Sequence, residues 1–162
     1  MSVSTSDFDH GIIERWRETF NQKVFGVSSF ENVMSVVSMR KQNYSKEDIK
    51  KIIHVLESTN TDSSHTKKKN DNYYFYKRKF FVSEVESPGE GTQKVLCRKD
   101  SSKRICSTDE CFDVILDAHV RIGHKATMTT KAVIDETYCN IPRSTISSLI
   151  SLCPTCVSIS SK

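Results

Sequence analysis

The chain has no apolar run approaching the ~18 residues that mark a membrane span. Its N-terminus, MSVSTSDFDH, lacks the basic-then-apolar form of a secretory signal. Membrane insertion and secretion are therefore not expected. Glycine is scarce, at five residues in 162, and no glycine-rich phosphate loop is present. A nucleophile elbow and a set of carboxylates suited to two-metal chemistry are also missing. These residues do not assemble a catalytic site, and no small-molecule substrate is expected. With no secretory context, the six cysteines read as thiols and metal ligands rather than as a disulfide framework.

Charged residues make up 27% and the mean hydropathy is −0.46, values that fit a protein folded in water. The net charge of +4 is unevenly spread. Residues 1–66 carry eight Lys+Arg and nine Asp+Glu, residues 67–104 carry eleven and five, and residues 105–162 carry five and six. All the excess positive charge thus lies in the middle of the chain, and the C-terminal third lacks the electrostatic footprint of a strong independent DNA binder.

That C-terminal third carries the chemistry. His119 and His124 are separated by four residues, and Cys153 and Cys156 by two. Two close pairs of nitrogen and sulfur donors are what a closed tetrahedral zinc site requires. Helical phase agrees with this. Phe112, Ile115, Leu116 and His119 fall at i, i+3, i+4 and i+7, as do Ile146, Leu149, Ile150 and Cys153, so each run turns one ligand toward the apolar side of a helix. Ser107 and Glu110 are spaced as a capping box for the first of these helices, and Gly123 is placed to stop it. Thr127 to Tyr138 reads as a helix between them, with Met128, Ala132 and Val133 as its apolar contacts. Asn140-Ile141-Pro142 then ends that helix and opens the last one. One Zn2+ held by His119, His124, Cys153 and Cys156 would staple the two ends of a three-helix unit. Cys106 and Cys111 offer an alternative pair to combine with Cys153 and Cys156, at the cost of unwinding a helix start.

At these residues the sequence resembles the His-His-Cys-Cys zinc-binding domain of retroviral and Gypsy-type integrases, and especially the integrase-derived proteins of animal genomes such as Ginger-type transposons. The matching text is FDVILDAHVRIGHKATMTTKAVIDETYCNIPRSTISSLISLCPTC, with YYFYKRKFFVSEV as a β-rich approach; together they span roughly residues 73–157. Two departures stand out. Many relatives have a Trp-containing turn where this chain has Tyr138 to Pro142, and an integrase would continue into a catalytic core that these residues do not include. The resemblance implies a transposon-derived fragment acting in multimerisation or DNA integration complexes inside the nucleus, without catalysis of its own.

Upstream, Ile12, Ile13, Trp16, Phe20 and Val24 mark an amphipathic helix broken at Gly26. Ser28 with Glu31 opens a second one, carrying Phe30, Val33, Met34 and Val37. Ser45 with Asp48 opens a third, whose face is Ile49, Ile52, Ile53 and Leu56. The expected fold is mainly α with a small β-hairpin, in four parts. These are a helical module (1–57), a polar linker (58–72) containing Lys67 to Lys69, a basic β-hairpin lead-in (73–104) and the zinc unit (105–162). In the lead-in, YYFYKRKFFV and QKVLCR are the expected strands and Ser87 to Gly91 the turn. Lys77, Arg78 and Lys79, interleaved with aromatics, are candidates for nucleic-acid contact. The same pattern also fits a hairpin whose aromatic side packs on helices while the lysines stay solvated. The expected partners are DNA, a second copy of the chain or another protein. The alternative function is a protein-interaction adaptor with no nucleic-acid role.

Overall fold

Asp9 opens the first helix, α1 (His10–Phe25), by accepting the Gly11 N–H on its carboxylate at 3.0 Å. The helix ends at Gly26, where an added Cβ would stand 2.4 Å from the Gln22 carbonyl oxygen, so only glycine fits the stop. The computed structural model describes residues 9–26, 43–58 and 71–160. The helix expected from Ser28, the body of the linker and Lys67 to Lys69 lie outside the described residues.

Ser45 and Asp48 form the expected reciprocal cap. The Ser45 N–H donates to Asp48 Oδ2 (3.0 Å) and the Asp48 N–H to Ser45 Oγ (3.1 Å), starting α2 (Lys46–Ser58). Of its apolar face, Ile52 is buried and Ile49, Ile53 and Leu56 are half-buried against the same cluster.

The next stretch departs from expectation. Residues Asp71–Lys79 form a helix, α3, and the chain becomes a strand only at Phe80. The aromatics of YYFYKRKFFV favour a strand by propensity, but Tyr73, Tyr76 and Phe80 also stand at i, i+3 and i+7. Tyr73 and Phe80 are buried and Tyr76 packs against the same apolar cluster as Phe80. Packing on that period overrides the propensity. Lys77, Arg78 and Lys79 therefore occupy the last helical turn, not a hairpin. The hairpin follows as β1 (Phe80–Ser87) and β2 (Gly91–Arg98), antiparallel and in register from Phe80↔Arg98 to Ser87↔Gly91. Its turn is the expected Ser87 to Gly91, closed by the Glu90 N–H donating to the Ser87 carbonyl (3.2 Å).

Four helices complete the chain: α4 (Cys111–Arg121), α5 (Thr127–Asp135), α6 (Arg143–Leu152) and the short α7 (Pro154–Ser160). The Ser107–Glu110 capping box forms just ahead of α4, with both reciprocal bonds made at 3.1 and 3.3 Å. Helix α5 is shorter than expected and is rotated. Met128 and Ala132 are exposed, and Thr130 and Ile134 are the buried contacts, with Val133 at the edge. The Thr130 hydroxyl is tolerated inside because it donates to the Ala126 carbonyl at 3.2 Å.

Among the described residues the fold is mainly α with one two-stranded hairpin, and the buried apolar side chains gather in two clusters. The first joins α1 to α4, α5 and α6. Trp16 meets Phe112 edge-on at 5.5 Å between ring centroids, and Phe20 meets the same ring at 5.6 Å. The second joins α2 and Tyr44 to Phe80, Leu96 and Ile105 of the hairpin region. The described helices of residues 1–57 thus contribute to two different cores and do not gather into one of their own. The segment between hairpin and α4 ties the clusters together. Thr108 N–H donates to the Tyr44 carbonyl (2.9 Å), Lys46 N–H to Asp109 Oδ2 (2.8 Å), and Asn140 bonds the Cys106 backbone on both sides, at 2.7 and 2.9 Å.

Candidate metal centre

The seven-residue step from Phe112 to His119 spans about two turns of α4, roughly 10 Å of helix, so the buried face that starts on an aromatic core ends on an imidazole. His119 is fully buried. The helix then stops in a Schellman turn: His124 N–H donates to the His119 carbonyl (2.9 Å) and Gly123 N–H to the Val120 carbonyl (3.0 Å). Gly123 has φ +75° and His124 itself φ +59°. The second histidine is thereby folded back over the first, with ring centroids 4.8 Å apart and planes at 85°. A Cβ at Gly123 would meet nothing within 4 Å, so Gly123→Ala adds only left-handed strain. It is expected to cost about 1–2 kcal/mol in denaturant unfolding. No change would mean that α4 does not end in this turn.

The cysteine pair comes from the other end of the unit. Cys153 caps α6, fully buried, and its carbonyl accepts the Val157 N–H (2.9 Å) as α7 begins at Pro154. Cys156 lies in the first turn of α7, half-buried.

The four donor atoms converge, all within 4.8 Å of one another. His124 Nδ1 is 3.2 Å from His119 Nε2 and 3.4 Å from Cys153 Sγ; Cys156 Sγ is 3.3 Å from His119 Nε2 and 4.0 Å from His124 Nδ1. A tetrahedral ion bonded to two nitrogens and two sulfurs needs edges of about 3.3 Å between nitrogens and about 3.6 Å between nitrogen and sulfur. The N–N edge falls close to the first value, and these three N–S edges lie on either side of the second. His119, His124, Cys153 and Cys156 are positioned to hold a metal ion, and among the described residues no other histidine, cysteine or carboxylate group forms such a cluster.

No protein-family model matches the chain, nor does any curated protein or any solved structure. The reading of the centre therefore rests on its own geometry and chemistry.

The electrostatics suit a cation. Burial, aided by the neighbouring His124, pushes His119 down to about 4, with the Lys125 backbone opposing. The imidazole is thus neutral at pH 7, with a lone pair to give. Burial and then the adjacent Cys153 push the Cys156 thiol up to about 11, so a bound ion must displace its proton. Protons and metal then compete at sulfur, and apparent metal affinity must rise with pH. The expected slope is about tenfold per pH unit between pH 6 and 8 for this thiol alone, with His119 adding nothing because it is already deprotonated there. Competition against a chromophoric chelator measures the slope, and a flat profile would remove Cys156 from the ligand set.

The alternative pair does not join this centre. Cys106 and Cys111 are both buried; the Cys106 thiol donates to the Ser107 carbonyl at 3.4 Å, and the neighbouring Cys111 and burial push it up, keeping it protonated. The hydrogen-bonding role of Asn140 was not legible beforehand; its only signal was a polar side chain two residues before Pro142. Lys77, Arg78 and Lys79 stand on α3, remote in sequence from the four ligands. Lys77 Nζ lies 5.5 Å from the Tyr73 ring centroid, and Lys79 Nζ lies 5.3 Å from that of Phe75.

Proposed function

We propose that the ion is a single structural Zn2+ and that the C-terminal unit is an integrase-type zinc domain. In this reading it holds copies of an integrase-derived protein together in the nucleus, without catalysis of its own. The observation that carries the reading is the convergence of the donor atoms of His119, His124, Cys153 and Cys156, all within 4.8 Å of one another. Two imidazoles and two thiolates suit zinc, which has no geometric preference of its own and takes tetrahedral nitrogen–sulfur sets in structural sites. With four protein ligands there is no open position for a water, so the metal folds the chain and does not activate a nucleophile.

The near-neutral charge of residues 105–162 favours assembly over direct DNA binding by the zinc unit itself. Any phosphate contact falls to the basic stretch before it, where Lys77, Arg78 and Lys79 lie. Cobalt(II) in place of the native ion should give the visible bands of a tetrahedral dithiolate site, and sedimentation velocity should show self-association that a chelator reverses. A monomer at every concentration, with or without zinc, would leave the metal centre standing and remove the assembly role.

A further inference from the structure

Charge on the hairpin is segregated along its length. Toward the turn stand Glu84, Glu86 and Glu90, and Lys94 is committed to Glu57 at 2.7 Å. The open end is basic. Lys77, Arg78 and Lys79 come from the last turn of α3, and Lys99 and Lys103 from the turn after β2. A backbone bond ties the two groups together, Lys99 N–H donating to the Lys79 carbonyl at 3.0 Å, and Arg98 N–H donating to the Lys103 carbonyl, also at 3.0 Å, closes the turn itself. The one carboxylate of that turn, Asp100, is taken by Arg98 at 2.8 Å.

Beside these cations two aromatic rings face solvent. Tyr74 is 58% exposed and Phe75 41%, whereas Tyr73 and Phe80, from the same run, are buried. On a helix Tyr74 neighbours Lys77 and Arg78, and Phe75 neighbours Arg78 and Lys79, at i+3 and i+4. Both rings touch their neighbours, Tyr74 meeting Tyr73 edge-on at 5.3 Å and Phe75 meeting Tyr76 at 5.8 Å with Lys79 Nζ 5.3 Å from its centroid, yet each keeps a large part of its surface in water among the cations. Planar apolar faces set in a positive ridge are the requirements for stacking bases while neutralising their phosphates.

We propose that this ridge, Tyr74 and Phe75 with Lys77, Arg78, Lys79, Lys99 and Lys103, binds single-stranded nucleic acid, bases stacked on the rings and phosphates on the cations. A duplex presents the same phosphates but keeps its base faces stacked inside, so the rings would gain nothing from it. The inference deepens the nucleic-acid side of the function proposed above and does not depend on the metal.

Fluorescence anisotropy with the full chain tests it, using labelled oligothymidylate of about 15 nucleotides, within reach of known single-strand site sizes, and a mixed-sequence duplex of equal length. The oligothymidylate is expected to bind about tenfold more tightly than the duplex. Replacing both rings, Tyr74→Ala with Phe75→Ala, should weaken it by about tenfold or more and leave the salt dependence unchanged. Neutralising Lys77, Arg78 and Lys79 to Gln should flatten the log–log salt slope by about two, at roughly 0.7 per phosphate on a single strand. Lys131→Gln, a cation on α5, should change nothing.

Equal or tighter binding of the duplex, or polyglutamate competing as well as oligothymidylate, would overturn the single-strand assignment. Absence of salt-sensitive binding would overturn the ridge itself. Zinc content and circular dichroism on the same samples keep the two readings apart. Binding by a protein that holds no zinc would sink the metal reading and leave this one, and a zinc-loaded, helical protein that ignores oligothymidylate would do the reverse.

Discussion

Chelation of the metal is expected to cost the chain much of its stability and to loosen the end of the unit formed by α6, α7 and the His119–His124 turn. Four donors within 4.8 Å of one another have little reason to gather without an ion. His119 is fully buried, and its Nδ1 lacks a well-formed hydrogen bond. Cys153, equally buried, stands at the C-cap of its own helix. With free zinc at a thousandfold its Kd, linkage gives about 4 kcal/mol. For a chain of this size that corresponds to roughly 8–16 °C in Tm. Cys153→Ser should reproduce the loss even with zinc present, since a serine hydroxyl does not ionise to replace the thiolate. Thermal melts followed by far-UV circular dichroism, with metal content read by mass spectrometry, decide it. Unchanged helicity and Tm on chelation, with no stoichiometric metal recovered, would sink the structural centre.

How much of this was legible beforehand depended on whether one period dominated. The convergence of the four donors was readable because His119 and Cys153 each close an i, i+3, i+4, i+7 apolar run that ends at a helix stop; the burial of both followed from the same spacing. The capping pairs Ser45–Asp48 and Ser107–Glu110 were readable because a reciprocal cap needs only a spacing of three. Residues 73–79 misled because aromatics at Tyr73, Tyr76 and Phe80 satisfy helical spacing, while the run as a whole carries strand propensity; tertiary packing chose between them. Helix α5 was assigned the wrong face because Met128 is apolar and Thr130 is not. The threonine goes inside only because its hydroxyl can return to the Ala126 carbonyl. Where α1 would dock was beyond reach of sequence periodicity. An amphipathic face announces that it needs a partner without naming which one.

That docking supplies the second large effect. Phe112→Ala is expected to destabilise the chain by about 3–5 kcal/mol, comparable to losing the metal but acting at the opposite end of α4. The Phe112 ring is 1% exposed and lies against Trp16 at 5.5 Å and Phe20 at 5.6 Å, with the Arg17 guanidinium 5.0 Å from its centroid. Arg17 in turn reaches Asp113 at 2.6 Å. Removing the ring opens a cavity shared by α1 and α4, which the surrounding side chains refill only in part. The four converging donors, about two turns further along α4, should still take up zinc at saturating concentration. A variant that loses stability in denaturant melts yet retains one tetrahedral cobalt per chain would separate the two anchors of the helix. Zinc affinity falling in step with stability would mean that α1 and the metal hold one cooperative unit. A loss below ~1 kcal/mol would mean that α1 does not pack on α4 in solution, and the first apolar cluster would then belong to α4, α5 and α6 alone.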